Sequence, residues 1–376
     1  MKLGWQAAKI LALAATVAPA ASADYWVLIG TYTGKGSKGI YAYRLNTDTG
    51  EFKEAGLAAE EKNPSFLAVH PNGRLVYAVS ETDEGGAVSA FALDRATGKL
   101  KLLNRVSSRG KGPCHVSVDK TGKVVLAANY TGGSVAAFPV KEDGSLGEAT
   151  AFIQHKGSSA DKSRQEGPHA HSINVSPDNR FAMAADLGLD KVLIYRLDAT
   201  TATLTAHEPA YASVKPGSGP RHFAFHPGGR AAYVINEMAS TITSFVYDAE
   251  RGALSGAVQT ISTLPEGFKG ENWTAEVAVH PSGRFVYGSN RGHDSIAVFA
   301  VEDGDITLKA VEHTPSQGKW PRNFGIDPTG KFLIAANQNS NNVVMFRIDA
   351  ETGKLTPTGQ EMKVSIPVCV RFVKAE

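Results

Sequence analysis

The sequence predicts an all-β fold, a seven-bladed β-propeller whose ring is closed by pairing the C-terminal strand with the N-terminal strands. Three observations predict it. One pattern recurs six times at intervals of about fifty residues, each copy consists of strands and turns without helical periodicity, and the two chain ends carry the parts of one further unit. The six copies are SFLAVHPNGRLVYAVSE (65–81), CHVSVDKTGKVVLAANY (114–130), HSINVSPDNRFAMAADL (171–187), RHFAFHPGGRAAYVINE (221–237), AEVAVHPSGRFVYGSNR (275–291) and RNFGIDPTGKFLIAANQ (322–338).

Each copy has the pattern of a β-hairpin. Apolar residues alternate or run continuously on both sides of a turn, and turns such as Pro71-Asn72-Gly73 supply a fixed φ and a glycine for the reversal. Two further strand patterns follow each hairpin; after the first copy they are AVSAFALD (87–94) and LKLLNRVS (100–107). Four antiparallel strands per unit make one propeller blade.

The seventh blade is predicted to be split between the chain ends. The N-terminal segments WVLIGTYT (26–33), GIYAYRLN (39–46) and FKEAGLAA (52–59) supply three strands without an opening strand. The segment PVCVRFV (367–373) is an opening strand with nothing after it. Because pairing them closes the ring and removes exposed edges, we expect residues 24–376 to form a single propeller domain.

Residues 1–23 have the pattern of a secretory signal peptide. Lys2 and Lys9 precede an apolar run over 10–17, and Ala21-Ser22-Ala23 forms an A-x-A cleavage site before Asp24. The apolar run is too short for a stable membrane anchor. We therefore expect a periplasmic or secreted protein that has no membrane association after cleavage.

Composition argues against several classes of partner. The chain has 39 Lys plus Arg against 37 Asp plus Glu, so no general attraction to nucleic acid is expected.

Its two cysteines, Cys114 and Cys369, lie in the opening strands of the second and seventh blades, with the first blade between them. A disulfide, which export would permit, needs Cα atoms within roughly 7 Å, so we expect two buried free thiols.

Charged and polar side chains gather at one end of the repeated hairpins. In an antiparallel hairpin the start of the first strand lies beside the end of the second, so these positions are expected to converge on one mouth of the central channel. A concave polar pocket for a small molecule is the resulting site hypothesis. The candidate catalytic residues are His171, Arg221, Glu237 and Arg291, and the candidate substrate-binding residues are His115, Asn129, His169, His222, Glu276, Arg322 and Asn323.

Three other histidines are expected to be structural. His70, His226 and His280 recur at equivalent positions in the turn at the opposite end of the hairpin. A residue that repeats from blade to blade is expected to have a structural role in each blade, here capping the turn through its side chain.

The sequence lacks the motifs of several other enzyme classes. The chain has no G-x-S-x-G nucleophile elbow and no phosphate-binding or dinucleotide fingerprint. His169 and His171 face one way in an extended strand and could chelate a metal, but no third ligand is evident, so neither a metal nor another cofactor is expected. Residues 157–167 form an insertion beside the predicted mouth and could act as a lid.

Four segments resemble one known family. IGTYTGKGSKGIYAYRL, GPHAHSINVSPDNRFAMAADLGLDKVLIYRLD, GSGPRHFAFHPGGRAAYVINE and AVHPSGRFVYGSNRGHDSIAVF resemble the seven-bladed propeller lactonases, which include bacterial 6-phosphogluconolactonases and fungal carboxy-muconate cyclases. The resemblance implies chemistry at a lactone ester without a required metal. It also implies a His, two Arg and a Glu in the active site, which fall on His171, Arg221, Glu237 and Arg291.

The resemblance suggests roles but leaves the base open. Glu237 or His171 could take the proton of the attacking water, and Arg221 and Arg291 could stabilise developing negative charge or hold the product carboxylate.

Export favours an unphosphorylated substrate such as glucono-1,5-lactone, since the phosphorylated sugar lactone is a cytoplasmic intermediate. Two alternatives remain: a carboxy-muconate-type cyclase and a non-catalytic periplasmic binding propeller. Because a closed ring has no obligatory open edge, a monomer is expected.

Overall fold

The computed structural model describes residues 24–34, 36–302, 304 and 306–376. These residues form 29 β-strands and no helix, and the strands make seven antiparallel sheets. The prediction of an all-β, seven-bladed propeller is confirmed. The predicted signal peptide over 1–23 lies outside the described residues, within which no helix is long and apolar enough to cross a membrane.

The blades are numbered here in the order of the six repeats, and each is given from its innermost to its outermost strand. Blade 1 has β4 (Leu67–Val69), β5 (Leu75–Ser80), β6 (Ala87–Leu93) and β7 (Leu100–Ser107). Blade 2 has β8 (Pro113–Val118), β9 (Val124–Asn129), β10 (Ser134–Pro139) and β11 (Ala151–Gln154). Blade 3 has β12 (Ala170–Val175), β13 (Phe181–Asp186), β14 (Lys191–Asp198) and β15 (Thr203–Ser213).

The remaining blades follow the same plan, with one interruption. Blade 4 has β16 (Pro220–Phe225), β17 (Ala231–Asn236) and β18 (Thr241–Asp248), and its outer edge is divided into β19 (Ala253–Leu254) and β20 (Gln259–Ser262). Blade 5 has β21 (Trp273–Val279), β22 (Phe285–Arg291), β23 (Ser295–Glu302) and β24 (Thr307–Pro315). Blade 6 has β25 (Pro321–Ile326), β26 (Phe332–Asn337), β27 (Asn342–Ile348) and β28 (Leu355–Lys363).

Blade 7 joins the two chain ends as predicted. Its innermost strand is β29 (Pro367–Lys374), which pairs antiparallel with β1 (Asp24–Thr31), with Leu28 opposite Arg371. The blade continues outward through β2 (Gly39–Asn46) and β3 (Phe52–Glu60). The seven innermost strands contact one another in a closed ring around the channel.

Apolar side chains fill the space between neighbouring blades. Between blades 3 and 4, for example, Phe181 and Phe245 are fully or almost fully buried in one cluster. Full burial of one such side chain stabilises the fold by roughly 1.5–3 kcal/mol. Tyrosines at equivalent repeat positions add polar links: the Tyr77 hydroxyl donates to the carbonyl of Gly144 and the Tyr287 hydroxyl to that of Gly353, each in the next blade.

The repeated turn histidines tie each turn to the following blade. Nε2 of His280 lies 2.9 Å from the carbonyl oxygen of Gly330, and its Nδ1 accepts the Ser282 amide in its own turn. His70 and His226 make the same pair of contacts. The turn-capping role predicted for these histidines is confirmed, and the structure adds a link between blades.

Both cysteines are free and buried, as predicted. The Cys369 sulfur accepts the Leu67 amide, whereas the Cys114 sulfur faces His171. Burial raises the pKa of both thiols, so neither is a reactive thiolate at neutral pH.

Candidate active site

In five blades the second residue of the innermost strand is skipped in the pairing with the neighbouring strand, always at the same end of the ring. At each of these places the ladder to the second strand shifts by one residue, which is the signature of a β-bulge. The skipped residues are Cys114, His171, Arg221, Arg322 and Val368. A bulge re-aims its extra side chain, and all five line one small cavity at the channel mouth.

The bulges divide the predicted mouth into two layers. The first residue of five of the six repeats lines this upper cavity (Ser65, Cys114, His171, Arg221 and Arg322), together with the second residues Phe66, His222 and Asn323. His115 and Glu276 line a lower cavity on the other side, whereas His222 lines both cavities. The expectation that all these residues converge on one mouth is therefore corrected: strict alternation along a strand does not hold across a bulge.

Glu237 is the centre of a buried cluster of arginines at the mouth. Its Oε2 accepts hydrogen bonds from Nε of Arg221 at 3.0 Å and Nη2 of Arg291 at 2.8 Å. Its Oε1 accepts one from Nη2 of Arg164 at 2.8 Å. The Arg291 guanidinium also lies over the Trp320 ring, 5.5 Å from its centroid.

These contacts fix the charge of Glu237. Burial alone would raise its pKa, but the charges of Arg291 and Arg221 and the hydrogen bond from Arg164 hold the pKa of Glu237 well below its usual range. The carboxylate therefore stays ionised throughout the neutral and mildly acidic range. Both of its oxygens accept hydrogen bonds from arginines.

His171 lies beside this cluster and lines the upper cavity. Its Nδ1 is 3.7 Å from the Cys114 sulfur, and its ring packs against Tyr130 with centroids 5.2 Å apart. Within the described part of the chain, no protein atom hydrogen-bonds to its Nε2. Burial and the charge of Arg221 lower the pKa of His171 well below its usual value, so the imidazole is neutral at pH 7.

A second polar cluster lies across the mouth, around Glu81. The Tyr32 hydroxyl donates to Glu81 at 2.9 Å from Oε2, and the Ser65 hydroxyl donates to the same carboxylate oxygen. Nη2 of Arg322 donates to the Tyr32 oxygen at 3.1 Å. Burial raises the pKa of Tyr32, so this phenol remains protonated.

The deeper layer contains a chain of buried hydrogen bonds. Nη1 of Arg221 lies 3.3 Å from Nε2 of His222, whose Nδ1 is 3.0 Å from Oε1 of Glu276. Nδ2 of Asn323 donates a hydrogen bond to Oε2 of Glu276, and Oδ1 of Asn323 accepts one from the backbone N–H of Val370. Burial lowers the pKa of His222 and raises that of Glu276. His222, Glu276 and Asn323 thus use one another as hydrogen-bond partners, and the chain ends at the Arg221 guanidinium.

The two cavities differ in size and chemistry. The upper cavity has a volume of about 10 Å³, enough for about one water, and its walls carry the charged clusters. The lower cavity is about 490 Å³ and is lined mainly by apolar side chains such as Phe225, Phe324 and Phe372. The smaller cavity is the candidate active site, because Arg221, Arg322 and Glu81 line it together with the neutral His171, and the lower cavity has mainly apolar walls.

Two predicted substrate-binding residues lie elsewhere. Asn129 is fully buried within blade 2, where its Nδ2 donates to Ser108 and Ser134, so it lines neither cavity. The side chain of His169 stacks on Tyr130 with centroids 4.7 Å apart, at the outer edge of the mouth. His169 and His171 both contact the Tyr130 ring, but only His171 lines the upper cavity. No group of three or more His, Cys, Asp or Glu side chains able to hold a metal occurs among the described residues.

Sequence reasoning missed several residues of the mouth. Glu81 and Tyr130 occupy the same closing position of the repeat as Glu237 and Arg291, so the repeat alignment could have identified them. Tyr32 holds that position in the split blade. Arg164 belongs to the 157–167 insertion and carries no comparable signal.

The 157–167 segment lies against the mouth, where it was predicted. Besides the contact of Arg164 with Glu237, Gln165 donates to the Leu187 carbonyl and the Ser159 hydroxyl to Asp190. These contacts hold the segment to blade 3 on both sides of Arg164.

The match to known proteins covers nearly the whole described chain. Residues 26–372 match the family described as Lactonase, 7-bladed beta-propeller. The chain belongs to this lactonase family. The resemblance inferred from the sequence is thereby confirmed.

Individual relatives are named after two related lactonase activities. The chain is 40% identical to a 6-phosphogluconolactonase of Bacillus subtilis, over 92% of this chain and 97% of the relative. It is 36% identical to a 6-phosphogluconolactonase of Formosa agariphila, over 90% and 97%. The structure of a periplasmic gluconolactonase of Pseudomonas aeruginosa superimposes with a TM-score of 0.88 at 34% identity, covering 94% of this chain and 100% of that one.

Proposed function

We propose that this protein hydrolyses a sugar lactone to its aldonic acid at the mouth formed by His171, Arg221, Glu237 and Arg291. The observation that carries the proposal is the convergence of two cationic guanidinium groups and a neutral imidazole with an open Nε2 at one end of the channel. Lactone hydrolysis needs those two elements, a proton acceptor for water and stabilisation of an oxyanion.

His171 is the proposed general base. A water held at its Nε2 attacks the lactone carbonyl carbon and gives its proton to the imidazole, while the carbonyl π electrons move to the oxygen. Glu237 is not assigned this step, because both of its carboxylate oxygens already accept hydrogen bonds from arginines. Its proposed role is to position Arg221 and Arg291.

Arg221 is the proposed oxyanion donor. Among the described residues, no protein acceptor meets its Nη2, which leaves that group for the developing negative charge. When the tetrahedral intermediate collapses, the ring C–O bond breaks and the leaving alkoxide takes the proton from the His171 imidazolium. The products are one hydroxyl and one carboxylic acid, which releases its proton to solvent to become the carboxylate, and the imidazole is neutral again.

The upper cavity is far smaller than a lactone ring, so the substrate would lie across the mouth with its carbonyl end toward the cavity. The favoured substrate is the unphosphorylated glucono-1,5-lactone. Two observations support this choice: the export pattern of residues 1–23, and the 34% identity to a protein named periplasmic gluconolactonase. The proposed location is accordingly periplasmic. The relatives named 6-phosphogluconolactonase make the phosphorylated lactone the necessary comparison.

The test is proton release from glucono-1,5-lactone at near-neutral pH, corrected for spontaneous hydrolysis, with 6-phosphogluconolactone in parallel. Rapid turnover by the wild type, lost in His171→Ala and Glu237→Gln, is the expected result. A preference for the phosphorylated lactone would retain the lactonase and overturn the choice of substrate. No turnover of either lactone would contradict the proposal and favour a cyclase or a binding propeller.

A further inference from the structure

The carboxylate of Glu81 differs in its partners from that of Glu237. Glu237 is bound by three arginines, whereas Glu81 accepts hydrogen bonds from the hydroxyls of Tyr32 and Ser65. Among the described residues, no arginine forms an ion pair with Glu81. A carboxylate has about four lone-pair sites, so two hydroxyl donors leave acceptor capacity for further hydroxyls.

Glu81 also stands on the opposite side of the mouth from the proposed reaction centre. His171, Arg221 and Arg291 come from blades 3, 4 and 5. Glu81 and Ser65 come from blade 1, and Tyr32 follows β1 of blade 7. A substrate that presents its carbonyl to Arg221 and His171 therefore extends its far end toward Glu81 and Tyr32.

Arg322 does not make the side of the mouth around Glu81 and Tyr32 an anion-binding site. Its Nη2 donates to the Tyr32 oxygen, and its guanidinium lies near the carboxylate of Glu81. One arginine beside one carboxylate leaves this end with no net charge, and its remaining groups are hydroxyls. Such a surface matches a polyol, whose hydroxyls both donate and accept.

We propose that Glu81, with Tyr32 and Ser65, binds the hydroxyl-bearing end of the lactone and thereby selects a neutral polyhydroxylated lactone over one that carries a phosphate at that end. This inference rests on the proposed lactone hydrolysis. Glu81 repels a phosphate dianion at short range, while it accepts hydrogen bonds from a hydroxymethyl group. Glu81 is thus a specificity residue, which neither the repeat pattern nor the family resemblance assigned.

The test compares kcat/KM for glucono-1,5-lactone and 6-phosphogluconolactone in the wild type, Glu81→Gln and Tyr32→Phe. Glu81→Gln is expected to lower the ratio of the neutral to the phosphorylated substrate by about tenfold or more, because it removes a charged acceptor and a repulsive charge together. Tyr32→Phe keeps the ring under Arg322 and removes one hydroxyl, and it is expected to reduce activity on the neutral lactone more than on the phosphorylated one.

Glu61→Gln is the matched control. Glu61 is a buried glutamate that is bound to the Ser80 hydroxyl and to Arg105 outside the mouth, so its replacement reports a general loss of stability without changing the substrate ratio. An unchanged ratio in Glu81→Gln, with wild-type turnover intact, would overturn this inference and leave the lactonase proposal standing. Absence of turnover in the wild type would overturn both.

Discussion

Arg221 and Glu237 form a buried ion pair across the open end of a single hairpin, with Nε of the arginine 3.0 Å from Oε2 of the glutamate. Arg221 is the bulge residue of β16, and Glu237 follows the last residue of β17. The same guanidinium donates to the Ala275 carbonyl of the next blade at 2.7 Å. One hairpin thus supplies both the proposed oxyanion donor and the carboxylate that positions it.

Glu237→Gln is expected to destabilise the fold as well as abolish activity. Removing one partner of a buried ion pair costs about 3–5 kcal/mol, because the other charge is left unpaired. The folded-state pKa of Glu237 lies below that of a free glutamate, so its contribution is complete above about pH 4.3 and is lost as the pH falls further. Urea titrations of both proteins at neutral pH and near pH 3 should show the difference shrinking in acid. An equal difference at both pH values would contradict the depressed pKa.

The pH dependence of activity distinguishes His171 from a base with an ordinary pKa. Because burial and Arg221 lower the pKa of His171, its neutral form persists well below the usual histidine range near 6.5. We expect kcat/KM to be flat through neutral pH and to fall only in clearly acidic solution. A pH-stat series from about pH 4.5 to about pH 8 measures this. An acid limb centred near 6.5 would assign the base to another group.

Arg164→Ala tests whether the 157–167 segment contributes to the site. The segment keeps its contacts through Ser159 and Gln165, so the thermal midpoint should change little. Glu237 loses one of its three arginine partners, and kcat/KM is expected to fall by about tenfold, the effect of one charge-assisted hydrogen bond. The control is Lys162→Ala on the same segment, since Lys162 is exposed and its one hydrogen bond among the described residues goes to the Ser159 carbonyl. Equal activity in both variants would show that the segment is not part of the site.

The repeat made the fold predictable, including the split blade. Each hairpin and turn is encoded locally, and the unpaired β29 could have only one partner, the N-terminal strands that lacked an opening strand. The mouth positions were partly predictable for the same reason, because hairpin ends meet whatever their sequence.

The two-layer arrangement of the site could not be predicted from alternation. A bulge adds one residue to a strand without a distinctive residue type: the five skipped positions hold Cys, His, Arg, Arg and Val. Arg221, at the bulge of β16, lines the upper cavity, whereas Glu276, within the register shift between Thr274 and Val277 of β21, lines the lower one. The contact between Arg164 and Glu237 spans 73 residues and depends on the path of a loop, which periodicity does not describe.

Two histidine substitutions should have opposite effects and so separate scaffold from chemistry. His280→Ala removes the bond to the Gly330 carbonyl and the acceptor for the Ser282 amide, so we expect a loss of about 1–3 kcal/mol in unfolding free energy with kcat/KM unchanged. His171→Ala removes a ring whose Nε2 meets no protein partner among the described residues, so we expect activity to fall by at least about a hundredfold, the lower end for a general base. Urea unfolding measures the stability of both variants, and proton release from the lactone measures their activity. If His280→Ala lost activity at full stability, the turn histidines would have a role in the reaction, and the mouth would not be the whole site.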